Sequence, residues 1–172
     1  MQIGRFFSSK RIVAVVLAVA LSCAAWAATP DSLLLVAQIK KGDVAQLSAF
    51  LSSHPGVVRQ LSPTGTPPLV TAISLKSDAD VLGALVQAGA EPNQPNTRGT
   101  TPLLLAISSQ EVGLVEALLS YKANPSLVSS RGTTPLHAAV VGKDKTKAVQ
   151  IVQLLVKAGA KPDVADKKGR TP

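Results

Sequence analysis

The side chains in this sequence whose types could do chemistry are few: His54 and His137, Asp78 and Asp80, and Cys23. An imidazole can serve as general base or metal ligand, but it needs an orienting acid or further ligands beside it. Each histidine here stands alone in sequence, and His54, just before Pro55, reads as a solvated loop residue. Asp78 and Asp80 straddle an expected helix start, where carboxylates cap the helix and meet its dipole. Gly65-Thr66 and Gly99-Thr100 lack the Lys-Ser or Lys-Thr ending of a phosphate loop. Lys143-Asp144-Lys145-Thr146-Lys147 reads as a solvated charged turn, with contact to an acidic partner as the sharper alternative. No Ser-His-Asp set and no metal cluster emerges from the order of residues. The expectation is a protein that is not an enzyme, with no catalytic residue, no metal and no cofactor.

Composition narrows the class further. Apolar residues make up 46% of the 172, too many for a disordered chain, but aromatics only 3%. The core must therefore be built from Leu, Val, Ile and Ala, which suits helices packed at close range. The net charge is +8, but Arg5, Lys10 and Arg11 contribute to it from the extreme N-terminus. With Phe50 and Tyr121 the only aromatics beyond the leader, almost nothing could stack on bases, so no nucleic-acid partner is expected.

Those N-terminal cations precede an unbroken apolar run, Ile12 to Leu21, and then Ala25-Trp26-Ala27. This is the pattern of a cleavable signal peptide spanning 1–27, cut between Ala27 and Ala28. The run is half the length a membrane-spanning helix needs, about 20 residues, so no membrane association is expected after cleavage. Cys23 follows Ala20-Leu21-Ser22, a loose lipobox, so a lipoprotein anchored at Cys23 is the minor alternative. The leader's form points to a bacterial envelope protein, periplasmic or secreted. The rest of the chain would hold no cysteine and no disulfide.

The remainder, 28–172, is periodic. Gly65-Thr66-Pro67-Pro68-Leu69, Gly99-Thr100-Thr101-Pro102-Leu103 and Gly132-Thr133-Thr134-Pro135-Leu136-His137-Ala138-Ala139 are successive copies of one element, and Gly169-Arg170-Thr171-Pro172 begins another. The glycines lie 34, 33 and 37 residues apart. Between them recurs Leu85-Val86-Gln87-Ala88-Gly89-Ala90, matched by Leu155-Val156-Lys157-Ala158-Gly159-Ala160, and near Tyr121 with Lys122 where the glycine belongs. Thr101 and Thr134 stand where N-caps belong, with Pro102 and Pro135 at the first helical position. Gly89 and Gly159 stand where a left-handed C-cap belongs. Leu103, Ala106 and Ile107 share one helical face; Val112, Val115, Leu118 and Leu119 share another, as do Val81, Leu82, Leu85 and Val86.

Gly132 to Ala139 resembles the hallmark of the ankyrin-repeat family, Gly-x-Thr-Pro-Leu-His-x-Ala, and the glycine-alanine element resembles its second landmark. The resemblance implies an all-α fold: a solenoid of stacked helix–turn–helix repeats with β-turn tips. Repeats fall at about 31–62, 63–96, 97–129 and 130–166, with a partial repeat at 167–172. The first is divergent, with helices over Leu33 to Lys41 and Asp43 to Ser53, Asp43 as N-cap and a polar outer face suited to a cap. The fourth carries about four extra residues, expected in its inter-helix turn. His137 is, by the resemblance, a structural hydrogen-bonding residue. The chain stops at Thr171-Pro172, where a further helix is expected to begin, and Ile151, Leu154 and Leu155 are the apolar face expected beside that point.

Proteins of the family bind other proteins through their turn tips and the inner face of the first helices. The residues expected to contact a partner are therefore Thr64, Arg98, Arg131 and Lys168, just before each motif glycine. With them go Thr66, Thr100, Thr133 and Arg170, two positions on, and Ser109 on the inner face. Arg98, Arg131, Lys168 and Arg170 would form a column of positive charge favouring an acidic protein. The expected function is a protein–protein interaction module of the periplasm; the alternative is an inhibitor or immunity-type protein that occludes a secreted enzyme.

Overall fold

The computed structural model describes residues 30–62 and 64–172. The expected signal peptide, its cleavage site at Ala27 and Ala28, and Cys23 lie outside the described residues. Eight helices run through the described part: α1 (Pro30–Lys41), α2 (Val44–Ser53), α3 (Pro68–Ser74), α4 (Ala79–Gln87), α5 (Pro102–Ser108), α6 (Val112–Ser120), α7 (Pro135–Val140) and α8 (Lys145–Lys157), with a 3-10 turn at Val57–Arg59. None of them is long and apolar enough to cross a membrane.

The helices form two ranks. In the inner rank α1 packs on α3, α3 on α5 and α5 on α7; in the outer rank α2 packs on α4, α4 on α6 and α6 on α8. Helices of six or seven residues, such as α3, α5 and α7, have no stability of their own. They persist because each buries an apolar face on the next. Leu69, Leu103 and Leu136 make one buried column through the inner rank; Leu85, Leu118 and Leu155 make another through the outer. Ala72, Ala106 and Ala139 are buried between them, and their small side chains let the inner helices approach closely.

Each helix end has a local cause. The hydroxyls of Thr101 and Thr134 accept from the backbone N–H of Leu104 and His137, and Asp43 accepts from Gln46. Asp78 stands at the N-cap of α4 but its side chain makes no capping bond, contrary to the sequence expectation. At the C-terminal ends of α4, α6 and α8 the residue past the cap is left-handed: Gly89 at φ 96°, Lys122 at 66° and Gly159 at 91°. The next N–H then reaches back to the leucine carbonyl five residues earlier, 2.9 Å in each case: Ala90 to Leu85, Ala123 to Leu118 and Ala160 to Leu155. Lys122 therefore holds the glycine position at a steric cost. Lys76 and Gln110 do the same after α3 and α5, at φ 57° and 54°, a pair of strained positions without a glycine signature.

Two expectations are corrected by packing. The extra residues of the fourth repeat lengthen a helix: α8 has 13 residues where α6 has 9, while the turn before it stays short. Asp144 caps the added turn through Thr146 and Lys147. Ile151 and Leu155 do not form an outer face. Both are buried against the rest of the stack, and the exposed apolar side chains near this end are Val140, Val141, Val149 and Val156.

His54 is also more than a solvated loop residue. Its ring stacks on Phe50 with centroids 4.3 Å apart, and its Nδ1 lies 2.9 Å from Ser53 Oγ and 3.1 Å from the Phe50 carbonyl. It closes the C-terminal end of α2.

Candidate functional site: the turn tips and the concave face

The four tips share one construction. In each, a first residue three places before the motif glycine closes a β-turn, its carbonyl accepting from the glycine N–H: Ser62 to Gly65, Asn96 to Gly99, Ser129 to Gly132 and Asp166 to Gly169. The same first residue donates its N–H to the carbonyl two places beyond the glycine's predecessor, at Thr66, Thr100, Thr133 and Arg170 respectively. Its side-chain oxygen then gathers the remaining backbone donors. Asn96 Oδ1 accepts from the N–H groups of Arg98 and Thr100, both at 3.0 Å, and Ser129 Oγ from those of Arg131 and Thr133, both at 3.2 Å. Asp166 Oδ1 accepts from Lys168 at 2.8 Å and Arg170 at 3.0 Å. At the first tip, Ser62 Oγ accepts from the Thr66 N–H at 3.1 Å.

This acceptor position was missed by the sequence reading. Its signal was present: a residue with a short polar side chain recurs three places before every motif glycine.

The glycines are required twice over. Gly65, Gly99 and Gly132 have φ of 70°, 71° and 77°, a region that disfavours a side chain. A Cβ on Gly65 would also meet the methyl of Thr97 at 2.9 Å, one on Gly99 would meet Ser130 Cβ at 2.6 Å, and one on Gly132 would collide with Lys167. Each tip is thus laid directly against the glycine of the tip before it. Hydrogen bonds stitch the same seam: Ser130 Oγ donates to the Arg98 carbonyl at 2.9 Å, and Lys167 Nζ donates to the Ser130 carbonyl at 2.7 Å. His137 joins tip to helix, with Nδ1 2.8 Å from Thr134 Oγ1 and Nε2 2.7 Å from the Arg170 carbonyl. Both ring nitrogens are engaged, Nδ1 by the capping hydroxyl and Nε2 by the backbone of the next tip, in keeping with the structural role that the resemblance implies for this residue.

Between the tips and the inner helices lies the concave face. One groove of about 300 Å³ is lined by Arg98, Thr100, Arg131 and Thr133 from two adjacent tips, with Leu104, Ser108 and Ala138 from α5 and α7. A larger one, about 820 Å³, shares Ser108, Thr133 and Ala138 with it and continues past Ser109, Gln110, His137, Val140 and Val141 to Arg170. Arg98, Thr100, Arg131 and Thr133 are therefore brought together, and Ser109 and Arg170 line the adjoining groove. Thr64 and Thr66 are not in either; they bond to each other at 3.0 Å, and Thr64 to Ser62 at 2.9 Å. Lys168 is exposed at its tip and lines neither groove.

Among the described residues the charged groups of Arg98, Arg131 and Lys168 have no hydrogen-bond or ion-pair partner in the chain. Arg170 differs. Its Nη2 and Nε donate to Asp166 Oδ2 at 2.7 and 3.0 Å. Those guanidinium bonds, with the backbone N–H groups of Arg170 and Lys168, lower the Asp166 carboxyl to about 2. The positive charge expected of Arg170 is thus largely spent inside its own tip, and the column of free cations is Arg98, Arg131 and Lys168. Among the described residues no group of histidines, cysteines and carboxylates could hold a metal.

One further bridge shapes the groove. The Gln110 side-chain amide, at the left-handed end of α5, donates to the Asp144 carbonyl at 2.9 Å and accepts from the Asp144 N–H at 3.0 Å. It fixes the turn before α8, including Gly142 and Lys143 of the larger groove, against the preceding repeat.

No curated protein sequence matches the chain. A family model of ankyrin repeats, three copies, matches residues 69–166, which covers α3, all but its first residue, through α8. The chain therefore belongs to the ankyrin-repeat family, whose repeats are generally protein–protein interaction modules.

Proposed function

We propose that this protein is an interaction module of the bacterial periplasm that captures an acidic protein partner on its concave face and tips. The observation that carries the reading is the pairing of Arg98 and Arg131 on one groove, each guanidinium exposed and without a partner in the chain. Thr100 and Thr133 line the same groove. Guanidinium forks onto carboxylate with two parallel bonds, which makes arginine well suited to recognising an acidic surface. The tips are held by backbone and side-chain bonds on both sides, so little ordering entropy is lost on binding. Export rests on the leader sequence alone: cations, a ten-residue apolar run and Ala25-Trp26-Ala27.

Capture from periplasmic extract with tagged protein, followed by the Arg98→Ala/Arg131→Ala pair, tests the reading. The double variant should retain its helical content and melting temperature, and lose about tenfold or more in affinity for the captured partner. Unchanged affinity and salt dependence would remove these arginines from the interface. Intact mass of the exported protein tests the leader: a start at Ala28 is expected, and a lipid-bearing start at Cys23 would move the protein to a membrane surface.

A further inference from the structure

The spacing of the tips and the chemistry between them restrict the shape of the partner. Successive repeats stack at about 10 Å, the distance between packed helices. The tips share the period of the stack, since each lies against the glycine of the one before. Arg98 and Arg131 thus present two guanidinium groups one repeat apart along a single groove. A partner segment that serves both must offer carboxylates at that interval on one side. A polyproline II helix has three residues per turn and rises about 9 Å per turn, so every third side chain returns to the same side at nearly this interval. An ordinary β-strand does not, because its third neighbour points the opposite way. An α-helix reaches a similar interval only at about seven residues.

The groove floor separates the two remaining shapes. Thr100 and Thr133 are half-buried and line the same groove as the arginines, and among the described residues their hydroxyls have no partner in the chain. Free hydroxyl donors suit a backbone whose carbonyls are unpaired, as in polyproline II. The middle of an α-helix has no such carbonyl to give, because its backbone groups bond one another.

We infer that the concave face takes an extended acidic segment of its partner, wound as a polyproline II helix, with carboxylates three residues apart on Arg98 and Arg131 and peptide carbonyls on Thr100 and Thr133. This rests on the interaction reading above and narrows it to one kind of ligand. Lys168 continues the cation column one repeat further, so a third carboxylate in the same register adds to the binding.

Synthetic peptides test the register directly against the purified protein. One peptide repeats Asp-Pro-Pro; a second repeats Asp-Pro-Pro-Pro with the same number of aspartates; a third is helical with glutamates seven apart. Titration calorimetry at low salt should find the three-residue repeat bound about tenfold more tightly than the four-residue repeat, the worth of two exposed ion pairs lost from register. Arg98→Ala/Arg131→Ala should abolish that preference, and Thr100→Val/Thr133→Val should weaken the three-residue peptide while leaving the fold intact by circular dichroism. Equal affinity for both spacings means that charge attracts without register and overturns the inference. Tighter binding of the helical peptide overturns it in favour of a helix. If no peptide binds but the captured partner still depends on Arg98 and Arg131, the interaction reading stands and the extended-segment inference fails alone. If the captured partner ignores both arginines, the interaction reading has failed as well.

Discussion

The second and fourth tips, Asn96–Thr100 and Asp166–Arg170, have the same backbone and different electrostatics. Both close through the same turn and the same pair of N–H bonds to one side-chain oxygen. In the second tip the acceptor is a neutral amide, and Arg98 stays free. In the fourth it is a carboxylate, whose other oxygen takes the Arg170 guanidinium. One carboxylate thus does the structural task of an asparagine and also removes a cation from the edge. The number of basic residues at the tips therefore overstates the number available to a partner.

The largest effect is expected where the common construction itself is broken. Gly132→Ala must place a Cβ in left-handed backbone and against Lys167, whose backbone N would lie 3.0 Å away. We expect a loss of about 2–4 kcal/mol, strain and overpacking together. Gly89→Ala is the control, since a Cβ there meets nothing within 4 Å; only the backbone cost of about 1 kcal/mol should appear. Equal losses in urea unfolding would show that the seam between tips yields at no cost.

A smaller effect should follow from removing the shared acceptor. Asn96→Ala leaves the N–H groups of Arg98 and Thr100 without their side-chain partner and should cost about 1–2 kcal/mol. Thermal melts of Asn96→Ala and Ser129→Ala should agree, because the two residues hold equivalent N–H pairs. A silent Asn96→Ala would mean that water replaces the bonds fully.

Lys122→Gly should act in the opposite direction. It relieves the left-handed strain at φ 66° but adds freedom to the unfolded chain. The net gain should be a fraction of the roughly 1 kcal/mol that the strain costs. A clear loss of stability would show that the lysine stem contributes packing worth more than the strain.

Asp166→Asn is the finest probe of the two tips, because it gives the fourth the neutral acceptor of the second. The carboxyl is lowered to about 2 in the folded chain, against about 3.9 unfolded. Its contribution to stability is therefore whole above about pH 4 and fades as the pH falls toward about 2. The asparagine variant lacks that pH-dependent contribution and frees the Arg170 guanidinium. Melting temperature across this window should fall more steeply for the wild type. Parallel curves would mean that the Asp166–Arg170 pair is broken in solution. The freed guanidinium should also steepen the salt dependence of partner association.

The sequence by itself determined the period, the order of helices and most of their ends. Thr101-Pro102 and Thr134-Pro135 place a capping hydroxyl and a ring with fixed φ at adjacent positions, and Gly89 and Gly159 mark left-handed exits; these causes are local and act within one turn of chain. It also placed Arg98 and Arg131 at equivalent tip positions. Which cations stay free turns on the folded tip: Asp166 and Arg170 are only four residues apart in sequence, and the turn brings guanidinium and carboxylate together. Only packing decided that Ile151 and Leu155 lie inside while Val140 and Val141 lie outside, since burial depends on which neighbouring helix covers a face. The extra residues of the fourth repeat went into α8 because Asp144, held by Gln110 from the repeat before, could cap one more turn. That contact joins residues 34 apart, and no local pattern of residues encodes it.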